Sequence, residues 1–367
     1  MTARSDYAHM ARALELAGRG LYTTDPNPRV GCVLVNDGRV VGEGWHEVAG
    51  GPHAERVALA SAGSSAGGST AFVTLEPCSH RGRTAPCTPG LIDAGVERVV
   101  CAMVDPNPRV AGRGVRALRE AGIQVETGIL EGPAAELNVG YVLRMQRGRP
   151  LVRSKLAISL DGRTALAGGE SEWITGDDAR ADVHRWRARS SAVLTGVGTI
   201  LADDPSLNAR LPGAAVTQPV RVIVDSLLRT PRDARTLCLP GEVIVFTTRP
   251  ARDASDALSA AGVRVQSVAG SDHCDLPEVM ARLGGLEINE VWVEAGPALN
   301  GALLNAGLID ELIIYMAPHL LGAGARGMFE IAPLENLDQR WRMVFRDVRR
   351  VGADLRIIVR PSTVAGP

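Results

Sequence analysis

Extended apolar runs alternate with helix-length stretches along nearly the whole 367-residue chain, pausing once at Gln146-Arg147-Gly148-Arg149-Pro150. Such alternation implies mixed sheets covered on both faces by helices. A chain this long can build two cores. We therefore expect an α/β protein with one domain over residues 1–147, a second over 148–361, and a frayed tail at 362–367. In the first domain, residues 5–18 read as an Ala/Leu-rich helix with Ser5 or Asp6 as N-cap. Strands are expected at 30–36 and 39–45, joined at Asn36-Asp37-Gly38, a strong hairpin signal. A helix starts near His53, and a strand follows at 70–75. A short helix after Pro89, a strand at 98–104, a helix at 114–121, a strand at 123–127 and a helix at 134–145 complete the unit. In the second domain, strand-like runs fall at 151–159, 192–194, 220–224, 243–247, 263–268, 290–294 and 311–316. Two more, at 341–348 and 354–359, read as a closing antiparallel pair.

Composition narrows the class. A net charge of −1 lacks the basic footprint of a nucleic-acid-binding domain. No run approaches the roughly 18 apolar residues of a membrane span, and the N-terminus has no signal-peptide core, so a cytoplasmic protein is expected. Six scattered cysteines in so long a chain suit reduced thiols better than a disulfide framework. Of 40 Lys plus Arg, only Lys155 is a lysine. A lysine can lose its proton when buried and arginine cannot, so this one hints at a task closed to arginine. Chance retention on a surface is the alternative.

The residues that carry chemistry begin at His53-Ala54-Glu55, continue at Pro77-Cys78, and end at Cys87. One imidazole and two thiols suit a single Zn²⁺ and leave its fourth tetrahedral position open to water. Glu55, two residues from the histidine, is placed to shuttle protons without being a ligand. A structural zinc would close with a fourth Cys or His, and none is spaced to do so. His46 and His80 are possible fourth ligands, with a better use as substrate contacts. The pattern is that of zinc-dependent nucleobase deaminases, except that eight residues separate the cysteines instead of two. A hexapeptide, Asp25-Pro26-Asn27-Pro28-Arg29-Val30, recurs at 105–110. A turn explains either copy, but Asn27 abuts the strand leading to the zinc helix and is read as gripping a pyrimidine edge. Asn107 is read as structural.

The run from Glu76 to Cys87, with Pro26-Asn27-Pro28-Arg29-Val30-Gly31 and His53-Ala54-Glu55, closely resembles the bifunctional deaminase–reductase of riboflavin biosynthesis. The eight-residue separation is that family's own variant. The resemblance implies a cytidine-deaminase-like three-layer domain acting on a pyrimidine that carries a ribose 5-phosphate. His80 and Arg83 then become candidates for the ribose phosphate, a group suited to a guanidinium.

The resemblance extends over the second half through Lys155–Ala165, Gly169–Thr175, Leu201–Pro205 and Val293–Pro297. It implies a dihydrofolate-reductase-like fold that uses NADPH to reduce a ribosyl side chain to ribityl. No Gly-x-Gly-x-x-Gly runs directly from a strand into a helix, so the usual dinucleotide fingerprint is absent. Instead Gly296-Pro297-Ala298-Leu299-Asn300-Gly301 follows a strand and opens a helix whose N–H groups can hold a pyrophosphate. Carried over residue by residue, Ala157, Trp173, Thr199, Asp203, Ser226 and 296–302, ending at Ala302, face the cofactor. Ser171, Arg187, Leu207, Arg210 and Glu294 face the substrate, both arginines being suited to its phosphate. A carboxylate such as Glu294 at the end of an apolar strand is costly without partners. Lys155 is assigned to the opened sugar or to proton transfer.

The expectation is thus a two-step enzyme of small-molecule substrates, binding neither nucleic acid nor membrane and assembling as a homo-oligomer. The rivals are a deaminase with a non-catalytic nucleotide-binding or oligomerising second domain, and a zinc module without catalysis.

Overall fold

A computed structural model describes residues 3–79, 85–250 and 252–362. The chain divides into two compact units, Met1–Gly148 and Arg149–Pro367.

The first unit is built on strands β1 (Gly31–Asn36), β2 (Arg39–Trp45), β3 (Thr70–Val73), β4 (Arg98–Cys101) and β5 (Gln124–Thr127), in the order β2-β1-β3-β4-β5. The first three neighbours are antiparallel and the last three parallel. The hairpin turn has Asp37 and Gly38 both at positive φ, as a two-residue turn matched to strand twist demands. Helices are α1 (Ala3–Gly18), α2 (Ala54–Ala62), α3 (Cys87–Asp93), α4 (Arg113–Glu120), α5 (Glu131–Leu137) and α6 (Val139–Arg147).

Alternation along β1 sorts the two cores. Cys32 and Leu34 pack with Ala54, Ala58 and Leu91 on one face. Val33 and Val35 pack with Met10, Ala13 and Leu16 on the other. On the first face α2 lies directly on β2, because a Cβ at Gly42 or Gly44 would collide with the α2 backbone at Ala58 or Ala54. That contact fixes the depth at which the N-terminus of α2, with His53 as its N-cap, meets the strand ends.

Two helices differ from expectation. The one expected after Pro89 begins at Cys87, so Pro89 is inside the first turn, where a missing N–H costs nothing. The helix expected at 134–145 is two, broken at Asn138. Asn138 is buried, accepts from Arg29 N (2.8 Å) and donates to Arg29 O (2.9 Å). Its side chain serves the first hexapeptide, and the helix yields there.

The second unit holds a nine-stranded sheet. Its strands are β6 (Leu151–Ser159), β8 (Ala192–Gly196), β9 (Val220–Val224), β10 (Val243–Thr247), β11 (Arg264–Ser267), β12 (Glu290–Val293), β13 (Glu311–Ala317), β15 (Met343–Val351) and β16 (Asp354–Pro361). The order is β11-β10-β9-β8-β12-β6-β13-β16-β15. All pairs from β11 to β13 are parallel, and β16 and β15 close one side antiparallel, as the sequence suggests. A small ribbon of β7 (Arg163–Ala165) and β14 (Arg326–Gly327) is too short for periodicity to reveal. Around the sheet lie α7 (Asp177–Arg189), α8 (Val197–Asp203), α9 (Arg235–Cys238), α10 (Arg252–Ala260), α11 (Leu276–Gly285) and α12 (Pro297–Asn305). The register sets Ser154 beside Val293, so Lys155 lies level with Glu294 just beyond the end of β12.

Candidate active sites

In the first unit the expected metal ligands converge. His53 Nδ1 lies 3.5 Å from Cys78 Sγ and 3.4 Å from Cys87 Sγ, and the three ligand atoms all lie within 4.8 Å of one another. No fourth ligating side chain joins them among the described residues. Three soft or borderline donors with one open position fit a catalytic zinc. Local structure explains the convergence: Cys87 opens α3, and its N–H and that of Thr88 donate to Cys78 O (3.0 and 3.2 Å). The two thiols are therefore tied together through the backbone although eight residues separate them.

A hydrogen bond from Cys87 pulls Cys78 down to about 4, aided by His53. Cys87 is pushed up by that same bond and then by burial. The bond to Cys78 raises His53. Glu55, 3 % exposed in the first turn of α2, is pushed up to about 7 by burial and then by the Cys78 charge.

Asn27 and His46 stand beside this group. His46 Nδ1 lies 2.9 Å from Pro52 O, which can only accept, so Nδ1 carries the proton. Nε2 then accepts from Asn27 Nδ2 at 3.0 Å. This polarity requires a neutral imidazole, and burial does lower the His46 pKa. The His46 and His53 rings meet edge to face at 5.5 Å. His80 and Arg83 lie outside the described residues. Asn107 uses its side chain on Arg109 N (3.0 Å), a local turn contact as expected.

In the second unit a charged cluster forms at the carboxyl ends of the central strands, where open α/β sheets bind ligands. Arg187 of α7 grips Glu294 with two bonds, Nε to Oε1 at 2.5 Å and Nη2 to Oε2 at 2.8 Å. Its Nη1 donates to Asn208 O (3.0 Å), so each of its three nitrogens already has one protein partner. Trp292 Nε1 adds a bond to Glu294 Oε1 (2.8 Å). Burial opposes the charge on Glu294, but Arg187, then Lys155 and Trp292, hold it down at about 2. Burial, reinforced by Arg187, lowers Lys155, while Glu294 opposes the shift.

Arg210 is exposed and bonds Asn208 Oδ1 (2.8 Å), which makes it the more available guanidinium. Its backbone N–H donates to His184 Nδ1 (3.3 Å). Sequence reasoning missed His184, which burial and the neighbouring guanidinium charges hold at about 4. Nothing in a helix containing several arginines singles it out. Leu207 is buried with a positive φ of 50°, and Ser171 is half-buried.

The expected cofactor residues divide. Trp173 is 69 % exposed with Arg180 stacked 4.6 Å from its ring centre, so it is not core. Thr199 and Asp203 share α8, and burial raises Asp203. Ala157 is half-buried on β6, and Ser226 follows β9 and accepts from Cys274 N (3.1 Å). Pro297 opens α12, with Gly296 as N-cap, and Gly296, Ala298 and Ala302 are exposed while Leu299 is half-buried. The buried Asn300 side chain is taken up by Ser154 Oγ (2.6 Å) and Ala295 O (2.8 Å). Gly301 is pressed against the Glu330 backbone, where a Cβ would clash. Asn300 and Gly301 thus set helix packing.

Residues 3–103 match the cytidine and deoxycytidylate deaminase zinc-binding region, and residues 150–357 match the RibD C-terminal domain. The chain is 49 % identical over 362 residues to the riboflavin biosynthesis protein RibD of Escherichia coli, covering 95 % of this chain and 98 % of that protein. The structure of Acinetobacter baumannii RibD superposes with a TM-score of 0.91 at 47 % identity, covering 98 % of this chain and 99 % of that one. A Thermotoga maritima diaminohydroxyphosphoribosylaminopyrimidine deaminase/5-amino-6-(5-phosphoribosylamino)uracil reductase gives 0.86 at 35 %, with coverages of 98 % and 99 %. Fold and sites together define a zinc deaminase joined to a reductase, a bifunctional enzyme of small-molecule substrates whose cofactors are Zn²⁺ and NADPH. The chain belongs to the RibD family of riboflavin biosynthesis. Among the described residues no helix is long and apolar enough to cross a membrane.

Proposed function

We propose that the two sites act in sequence on one pyrimidine, with units 1–147 and 148–361 as deaminase and reductase. The first step hydrolyses the amino group of 2,5-diamino-6-ribosylamino-4(3H)-pyrimidinone 5′-phosphate. The observation that carries this reading is the convergence of His53, Cys78 and Cys87 beside the buried Glu55. His53, Cys78 and Cys87 would hold the zinc, which would supply the Lewis acidity that makes a water available for attack at neutral pH. Glu55 takes a proton from the attacking water, passes it to the ring nitrogen, and delivers the second to departing ammonia. Because Asn27 donates its Nδ2 to His46, its Oδ1 is the atom it can offer to a donor on the pyrimidine edge. His80 and Arg83 receive the ribose phosphate.

In the second step the cyclic ribosylamine opens to an imine, whose carbon and nitrogen must gain a hydride and a proton. NADPH supplies the hydride, held between Trp173, Thr199, Asp203, Ser226 and the exposed residues at the start of α12. Glu294, kept ionised by Arg187, orients the sugar; Lys155, beside it, contacts the opened chain and gives the proton from Nζ to the nitrogen. Arg210 takes the phosphate, and Ser171 and Leu207 flank the substrate. Lys155→Arg retains charge but holds its proton too tightly to donate it. NADPH oxidation with the deaminated substrate should fall by at least about 100-fold, while ammonia release stays within twofold; near-normal oxidation would remove Lys155 from the step.

The same reading includes a homo-oligomer. The edge strand β15 displays Val344, Phe345 and Val348, with Phe345 69 % exposed. Unprotected apolar edges are association sites. Light scattering should give a mass of at least two chains, and a monomer at micromolar concentration would contradict this. A cytoplasmic setting accords with six free cysteines.

A further inference from the structure

Glu76 ends the segment that leads into Pro77-Cys78, and the chemistry above does not use it. Its side chain is 3 % exposed. Oε2 accepts from Asp105 N (3.1 Å) and Gly112 N (2.9 Å). Oε1 accepts from Gly114 N (2.8 Å) and Val115 N (3.1 Å). All four donors are backbone groups of the 105–112 segment and the first turn of α4. Asp105 is itself held by Tyr141 OH (2.9 Å). Both oxygens face only donors, an arrangement that a carboxylate satisfies and an amide cannot, whichever way it is turned. On the other side of the corner, Pro77 O rests against Gly114, where any Cβ would collide with it. The corner is therefore seated on α4 by Glu76, while Cys78 O caps the first turn of α3, which carries Cys87.

We propose that Glu76 is a positioning residue of the metal centre, fixing Cys78 Sγ relative to His53 and Cys87 through these four bonds; the inference rests on the three-ligand zinc reading. Groups behind metal ligands commonly govern metal affinity as well as activity, typically by about 10–100-fold.

The test uses the full chain carrying Glu76→Gln. Zinc affinity is measured by competition with a chromophoric chelator, thiolate-to-metal absorption in the Co²⁺-substituted protein, and thermal unfolding in the metal-stripped protein. Zinc affinity should fall about 10–100-fold and the thiolate band should shift, while NADPH oxidation with deaminated substrate stays within twofold. Unchanged affinity, with or without a lower unfolding temperature, would reduce Glu76 to packing and overturn the proposal. If that variant does not fold, Glu76→Asp decides: it keeps the charge but, one methylene shorter, cannot reach all four N–H groups. Weakened zinc binding by this variant supports the inference, and wild-type binding overturns it. A wild-type chain that binds no zinc would instead sink the three-ligand reading itself.

Discussion

Glu55→Gln should lower ammonia release by about 10²–10⁴-fold, the usual contribution of a positioned general acid–base, and leave one zinc per chain. The substitution is nearly isosteric, and Glu55 is not among the converging ligand atoms of His53, Cys78 and Cys87. Metal content should therefore be unaffected. What is lost is a carboxyl that can both take and return a proton at neutral pH. Burial, and then the Cys78 charge, moves Glu55 up to about 7, within reach of proton exchange at neutral pH. An amide presents a similar shape without the proton. Ammonia release and metal content on the same sample separate the roles. Retained zinc with normal turnover would make Glu55 a bystander, and lost zinc would make it part of the metal's support.

Glu294→Ala should abolish NADPH oxidation and destabilise the second unit by about 3 kcal/mol, because it strands a buried guanidinium. Arg187 is only 12 % exposed at its side chain and Glu294 15 %, and the alanine leaves two Arg187 donors and the Trp292 N–H without their acceptor. The same pair sets a pH dependence. Glu294 titrates at about 2 in the folded protein, below the ordinary glutamate value of about 4.3. Its folded pKa is depressed, so its stabilisation is fully present above about pH 4.3 and is lost as pH falls towards 2. Thermal unfolding of the second unit between pH 6 and pH 3 should lose more stability in wild type than in the variant. Parallel curves would show that the pair adds nothing. Glu294→Gln separates chemistry from stability: it should unfold closer to wild type yet remain inactive in reduction.

Much of this was readable in the residues because some side chains announce their chemistry. An imidazole, two thiols and a nearby carboxylate have few joint uses, and they meet as expected at His53, Cys78, Cys87 and Glu55. The β/α alternation carried the sheets, because strands buried on both faces must be apolar throughout. What escaped were roles defined by backbone partners. Asn138 looks like any helix residue until its side chain takes both polar groups of Arg29. Glu76 looks like a motif neighbour until four N–H groups converge on it. That Arg187 grips Glu294 is likewise a partnership no sequence pattern shows. The packing of Asn300 and Gly301 escaped for a similar reason, since buried packing and ligand approach favour the same residue types at a helix start.

The central claim, two independent sites working in sequence, is tested most directly by one comparison on chelator-stripped and zinc-restored protein. Supplied with the diaminopyrimidinone ribosylamino phosphate and NADPH, the stripped protein should release no ammonia and consume no NADPH. Given the deaminated uracil intermediate, it should oxidise NADPH at the rate of the zinc-restored protein. NADPH consumption by the stripped protein on the diamino substrate, or no consumption by either form on the deaminated one, would contradict the account.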